Sequence, residues 1–136
     1  MLLLTDSLAA QLERFFAGQP QSRALFDALR SAVEFLGGVE LRVSKSQVAF
    51  RRVTIFASAW IPAQYLRGSG LAPLVLTVAL RQRDSSPRWK QIVEPAPGRF
   101  THHLELRAPE EIDAEVRGWI AQAWHAARPL APKDLP

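Results

Sequence analysis

The sequence predicts an α+β domain: an antiparallel sheet of four to five strands with an N-terminal helix pair and a C-terminal helix packed on one face. Apolar residues recur every three or four positions up to residue 36 and again beyond residue 109, which is the spacing of amphipathic helices. Between these segments the apolar period is two, as in half-buried strands. Short turns separate most of the strand runs, and strands joined by short turns pair antiparallel.

Two helices are predicted before the first strand. The first is expected over about residues 6–17, where Thr5 to Ser7 offer oxygen atoms that can cap it. The second begins near Ser22, which is another capping candidate. It ends at Gly37 and Gly38, because glycine readily adopts the left-handed conformation that ends a helix. The two helices therefore form a short hairpin.

Five runs have the pattern of strands, with a long loop before the last one. In the third run, alternation places Ile55 and Ala57 on one face and Phe56 and Ser58 on the other. The interval between the fourth and fifth runs holds two turn-rich clusters, and loops of this length are often functional. The predicted runs are residues 39–43, 47–51, 54–61, 74–81 and 99–107.

The last helix is predicted from its acidic start and its apolar stripe. Pro109 occupies the first helical position, and the acidic residues that follow favour the amino end of the helix dipole. Pro129 ends the helix by about Arg128. Residues 1–128 therefore form one domain, and residues 129–136 form a proline-rich C-terminal tail.

Composition indicates an ordinary globular domain with a basic middle segment. The chain has 136 residues, no cysteine and a formal net charge of +4. The lack of cysteine fits a reducing compartment, so we expect a cytoplasmic protein. Acidic residues interrupt the apolar run at residues 1–4, so this run is expected to lead into the first helix and not to be a signal peptide or a membrane span. Residues 39–107 hold eleven basic and four acidic residues, a bias that fits either an anionic partner or a solvated sheet face.

The last predicted strand carries the candidate chemistry. Its apolar row is Phe100, Leu104 and Leu106, with His102 among them, and its polar row is Thr101, His103, Glu105 and Arg107.

Adjacent strand residues point to opposite faces, so His102 and His103 cannot hold one metal ion together, and neither a metal nor a cofactor is expected. His103 and Glu105 share a face and are the candidate catalytic acid/base pair, although a solvated cross-strand pair would look the same. His102 is a candidate ligand-binding residue whose position also suits a hydrogen-bonded core histidine.

The basic and polar residues of the middle segment suggest an anion-binding sheet face. Arginine and lysine are the usual ligands of phosphate and carboxylate groups, and basic side chains interleaved with aromatic ones are typical of surfaces that stack bases. The chain has neither a glycine-flanked aromatic RNA-binding motif nor a helix-turn-helix signature. The candidate ligand-binding residues are Lys45, Gln47, Arg51, Arg99, His102 and His103.

Two segments resemble a known family. Residues 39–52, with the run Ser44-Lys45-Ser46-Gln47-Val48-Ala49-Phe50-Arg51-Arg52, and residues 97–106, with Gly98-Arg99-Phe100-Thr101-His102-His103, are similar to the bacterial domain-of-unknown-function family 5655. The likeness runs from about Phe15 to Trp124. It implies a small cytosolic domain whose relatives occur beside nucleic-acid-handling modules, and it implies no reaction.

Three functional hypotheses follow. The first is a non-enzymatic module that binds an anionic ligand, with nucleic acid as the favoured class. The second is an enzyme that uses His103 and Glu105 on a phosphorylated or otherwise anionic small molecule. The third is a protein-interaction domain that forms an oligomer through the face around Trp60 or through a sheet edge.

Overall fold

A computed structural model of the chain describes residues 6–127. The apolar lead-in predicted at residues 1–4 and the tail predicted at residues 129–136 lie outside the described residues. Within residues 6–127 there are three α-helices and six strands: α1 (Leu8–Phe15), α2 (Pro20–Glu34), β1 (Glu40–Val43), β2 (Val48–Arg52), β3 (Thr54–Trp60), β4 (Leu74–Leu80), β5 (Gln91–Ala96), β6 (Arg99–Leu106) and α3 (Ala114–Ala126).

The strands form one antiparallel sheet in the order β1-β2-β3-β4-β6-β5. The predicted α+β architecture, with helices before and after an antiparallel sheet, is confirmed. The sheet has six strands among the described residues and not four or five, because β5 was expected to be a loop. None of the helices that the structure describes is long and apolar enough to cross a bilayer.

Strand β5 was missed because it has the composition of a loop. It contains Glu94 and Pro95, and most of its residues are exposed. Among the described residues it pairs with β6 alone, with a register irregularity between Val93 and Ala96. An edge strand tolerates proline because one of its sides needs no ladder hydrogen bonds. Residues 91–96 therefore form an edge strand of the sheet.

The core lies between one face of the sheet and the three helices. Phe26 of α2 stacks on Phe50 of β2 with ring centroids 6.0 Å apart. Trp119 and Ile120 of α3 join the same apolar cluster as Leu76 of β4. Burying this apolar surface is the main force that holds the helices on the sheet. The opposite face carries none of the three helices and is called the open face below.

A bulge in β3 changes which side chains reach the core. Ala57 pairs with Phe50, but Ile55 already pairs with Arg51, so β3 contains one extra residue at this point. Phe56 consequently joins the core cluster, whereas Ile55 is 51 % exposed. The prediction that Ile55 and Ala57 share one face, with Phe56 on the other, was wrong, because an inserted residue reverses the alternation on one side of it.

Three helix boundaries also differ from the prediction. Pro109 begins a short 3-10 turn, and α3 starts at Ala114 after Asp113, whose Oδ1 accepts a hydrogen bond from the Val116 amide at 3.1 Å. Helix α2 starts at Pro20 and not near Ser22, and it ends at Glu34, although Gly37 and Gly38 just beyond it have the predicted left-handed backbone, with φ of 81° and 53°. The Ser22 hydroxyl is buried and donates to the Pro73 carbonyl at 2.6 Å. Ser22 therefore ties α2 to the chain before β4.

Candidate functional site

The open face has a neutral polar row that runs across the sheet. The cross-strand pairs place Ser58 beside Thr77, Thr77 beside His103, and His103 beside Gln91. Ala49 extends the row on β2. The row therefore crosses five strands, from the buried Ala49 and Ser58 to the accessible hydroxyl, imidazole and amide groups of Thr77, His103 and Gln91, with no charged side chain among them. Adjacent strands lie about 4.8 Å apart, so it spans about 19 Å.

His103 is the titratable group of this row and lies on β6, next to the edge strand β5. One of its ring nitrogens, Nδ1, lies 2.9 Å from the Thr77 hydroxyl. Thr77 is the only side chain among residues 6–127 that hydrogen-bonds to this ring, so Nε2 is left for a ligand or solvent. Burial lowers the pKa of His103, and the nearby His102 lowers it further. The imidazole is therefore neutral near pH 7 and can accept or donate one hydrogen bond.

Glu105 shares the open face with His103 but does not contact it. Its carboxylate lies 3.8 Å from the Arg107 guanidinium, and in the described part of the chain it forms no ion pair with His103. Residues two apart on a strand are about 6.6 Å apart at their Cα atoms. The predicted catalytic pair is therefore two neighbouring groups without a direct hydrogen bond.

Arg51 also lies on the open face, where Glu40 of the edge strand holds it. The Arg51 guanidinium is 3.3 Å from the Glu40 carboxylate, which is also 3.2 Å from Arg42. All three side chains are substantially exposed, and exposed ion pairs are worth only about 0–1 kcal/mol. An incoming anion therefore displaces Glu40 from Arg51 at small cost.

Arg99 lies on the same face as Arg51, but on a strand near the opposite edge of the sheet. It lies four residues before His103 on β6, so alternation directs both side chains to one face. It is exposed and forms no salt bridge with any acidic residue among residues 6–127. Strands β2 and β6 are separated by β3 and β4, so the backbones at Arg51 and Arg99 are about 14 Å apart across the sheet.

Lys45 and Gln47 flank the turn between β1 and β2. Lys45 lines a groove beside α1 together with Arg14 and Phe15, away from the neutral polar row. The Gln47 carbonyl accepts a hydrogen bond from the Ser44 amide at 2.9 Å, which closes the turn. Arg51, Arg99 and His103 thus share one face of the sheet, whereas Lys45 does not join them.

His102 occupies the helix-covered side of β6 and is fully buried. Its Nε2 accepts a hydrogen bond from the Asp84 amide at 3.0 Å, so this nitrogen is unprotonated. Burial is the main reason that its pKa is lowered. The Asp84 carboxylate accepts from the Trp89 indole at 2.9 Å, and that indole packs on Trp119 of α3 with ring centroids 4.1 Å apart. His102 is thus part of a buried hydrogen-bonded group.

Sequence reasoning missed the partners of His102 in this group because Asp84, Arg88 and Trp89 lie in the segment that was expected to be a loop. Arg88 completes it by pairing with Asp113 at 3.0 Å and with Glu115 at 2.8 Å. These contacts join the chain between β4 and β5 to the beginning of α3. Two tryptophans near charged residues were the available signal, since a buried indole N–H needs an acceptor.

One aromatic side chain borders the open face. Trp60 at the end of β3 is half-buried and lies with its ring centroid 6.3 Å from that of Tyr65, which is 56 % exposed. An oligomer contact through Trp60 stays a prediction. Within residues 6–127, no three histidine or carboxylate side chains come together as metal ligands do.

Comparison with known proteins places the chain in one family. Neither the curated proteins nor the solved structures include a significant match. A family profile described as "Domain of unknown function (DUF5655)" matches residues 12–127. The match extends from α1 to the residue after α3, so it includes the whole sheet and the open face. The chain therefore belongs to the DUF5655 family, a family of domains of unknown function.

Proposed function

We propose that the open face binds single-stranded nucleic acid as a non-enzymatic module. The observation that carries the proposal is the spacing of the arginines on this face. Arg51 and Arg99 stand about 14 Å apart across the strands, both towards the same end of the strands from the neutral polar row, on the face that carries none of the three described helices. Two cations this far apart suit an extended polyanion that crosses the strands better than one small anion. The proposal also includes a cytoplasmic location for the protein, as the lack of cysteine indicates.

The groups of the neutral polar row, beside the arginines, support binding of bases. Hydroxyl, imidazole and amide side chains can hydrogen-bond to exposed base edges, and unpaired bases are what single-stranded recognition reads. His103 suits this role because it is neutral and only one of its ring nitrogens is occupied within the described chain. Trp60 at the border of the face offers an aromatic surface for stacking.

The experiment measures fluorescence anisotropy of a labelled single-stranded oligonucleotide of about 12 nucleotides over a salt series. Binding should weaken steeply as salt rises, because phosphate contacts release counterions. Arg51→Ala should reduce the log–log salt slope by about 0.7 if one phosphate contact is lost. His103→Ala should weaken binding with an unchanged slope, because it removes no charge at neutral pH.

The matched control is Arg23→Ala. Arg23 lies on α2 and pairs with Asp27 at 2.9 Å, so its removal changes the net charge equally without touching the open face. Equal loss of affinity in Arg23→Ala and Arg51→Ala would show that binding follows net charge and not this face. Affinity that does not change with salt would also overturn the proposal.

The geometry of His103 favours a second candidate, an acid/base enzyme that acts on an anionic small molecule. His103 is neutral and bonded to Thr77, so it can act as a base when Nε2 faces a substrate. Glu105 then serves as a nearby charge and not as a direct partner. The test is hydrolysis of a panel of phosphate esters, with loss of turnover and retained folding expected in His103→Ala. Unchanged turnover in that variant would rule the enzyme out.

A further inference from the structure

The β3 bulge opens a cleft at one end of the sheet. Strands β3 and β4 pair only from Ala57 to Trp60, so within residues 6–127 the segment Thr54–Phe56 has β2 on one side and no strand on the other. Between this segment and the end of β4 is a cleft of about 370 Å³. The last turn of α3 lines it as well, so the cleft reaches both faces of the sheet.

Apolar side chains form part of the cleft wall, beside polar ones such as Thr54 and Thr101. Ile55 is 51 % exposed, and Phe56 is buried beside it. Ala79 and Phe100 supply further apolar surface from β4 and β6. The exposed Ile55 and the half-buried Phe100 leave apolar surface, and a ligand that covers this surface is stabilised by the hydrophobic effect.

Two arginines stand at the mouth of this cleft on neighbouring strands. Leu80 and Phe100 form the last pair of β4 and β6, and Arg81 and Arg99 are the next residues along the two chains. Both line the cleft, and neither forms a salt bridge within residues 6–127. Like charges close together on adjacent strands are unfavourable unless an anion compensates them.

Arg81 is also held in position. Its guanidinium donates to the Ala126 carbonyl at the end of α3, at 2.9 Å. A guanidinium has five N–H donors, so most of them stay free for a ligand. Fixing the side chain in advance lowers the entropy cost of binding. The carbonyl end of α3 alone would repel an anion, and Arg81 stands between that end and the cleft mouth.

We propose that this cleft binds a small amphipathic anion, with a carboxylate or phosphate group between Arg81 and Arg99 and an apolar body against Ile55, Phe56 and Phe100. The volume falls at the lower end of the range for small-molecule sites. Carboxylate and phosphate groups match the planar, forked donors of the arginine guanidinium. The proposal goes beyond binding of an extended polymer, because the cleft encloses a compact ligand at one end of the sheet.

The test titrates the protein with 2-naphthoate and follows the backbone amides by two-dimensional NMR. We expect a Kd of about 1 mM or tighter, with shifts concentrated at residues 54–56, 79–81 and 98–101. Arg99→Ala should weaken binding by about ten-fold or more, which is the usual effect of losing a charge-assisted hydrogen bond. Ala79→Phe should abolish binding by filling the cleft.

Three controls separate this site from non-specific binding and from the open face. The uncharged analogue 2-naphthol should bind at least about ten-fold more weakly, because it has no charge for the arginines. Inorganic phosphate should also bind weakly, because it has no apolar body. His103→Ala should bind 2-naphthoate as the wild type does, even if it loses oligonucleotide affinity, because His103 does not line the cleft. The cleft and the proposed function can therefore fail separately.

The proposal would be overturned if the chemical shift changes were centred on other residues, or if 2-naphthol bound as tightly as 2-naphthoate. It would also be overturned if a folded Arg99→Ala or Ala79→Phe variant kept the wild-type affinity, or if no amide shifted at a 2-naphthoate concentration of about ten times the expected Kd. Preservation of the amide spectrum outside the cleft shows that each variant is folded.

Discussion

His102 and His103 are neighbours in the sequence, and the sheet gives them opposite surroundings. His102 is fully buried on the helix-covered face, with its Nε2 bonded to the Asp84 amide. His103 is half-buried on the open face, bonded to Thr77 and to no other side chain within residues 6–127. On the helix-covered face of β6 the His102 imidazole is hydrogen-bonded inside the protein, whereas on the open face the His103 imidazole keeps one ring nitrogen available to a ligand.

The sharpest way to test this contrast is to remove each imidazole in turn. His102→Ala should lower the free energy of unfolding by about 2–4 kcal/mol, because it leaves a cavity and deprives the Asp84 amide of its acceptor. His103→Ala should cost about 1 kcal/mol or less, since solvent can replace its bond to Thr77. Urea unfolding of both variants measures the difference.

Equal losses in the two variants would contradict the contrast. Trp89→Ala provides a second measurement on the helix-covered side. The Trp89 side chain is buried between His102 and Trp119, so its truncation should be as costly as the loss of His102 or more so.

The two histidine environments follow from the sequence, whereas the cleft does not. Strict alternation from Phe100 to Leu106 is enough to place His102 inside and His103 outside. The bulge at Phe56 is not predictable in this way, because an inserted residue depends on pairing with β2 and not on composition. Strand β5 is hidden for a related reason: its proline is tolerated only because the strand lies at the sheet edge.

The ion-pair partners of Arg51 and Arg88 could not be predicted from the sequence either. Pairing of Arg51 with Glu40 requires the register of β1 on β2, which brings residues 11 apart into contact. Pairing of Arg88 with Asp113 requires α3 to pack beside the chain that follows β4. Basic composition predicted a charged face, but the distance between its arginines came only from the strand order.

The pH dependence of stability gives a second test of the contrast. The folded state lowers the pKa of both histidines, chiefly by burial, so near pH 6 it binds fewer protons than the unfolded chain. Stability should therefore be fully present above about pH 6.5 and should fall as the pH drops from there towards the lowered pKa values. His102→Gln should reduce this slope, as measured by urea unfolding between about pH 5 and 8.

A second fall in the free energy of unfolding is expected at lower pH. Burial alone would raise the pKa of Asp84, but hydrogen bonds from Trp89 and Ser86 outweigh it, and the pKa is lowered. Stability that depends on this carboxylate should therefore be lost only below about pH 4. A wild-type protein whose stability is constant between pH 5 and 8 would contradict the account of the histidines.

The smallest expected effect concerns the ion pair on the open face. Arg51→Ala and Glu40→Ala should each change the free energy of unfolding by about 0.5 kcal/mol or less, because their charges are exposed and solvent screens them. A double-mutant cycle with urea unfolding measures the coupling. A coupling well above about 1 kcal/mol would mean that Arg51 is committed to Glu40. A weak coupling would mean that the Arg51 guanidinium contributes little to the stability of the fold. It can then leave Glu40 and bind an external anion at small cost in free energy.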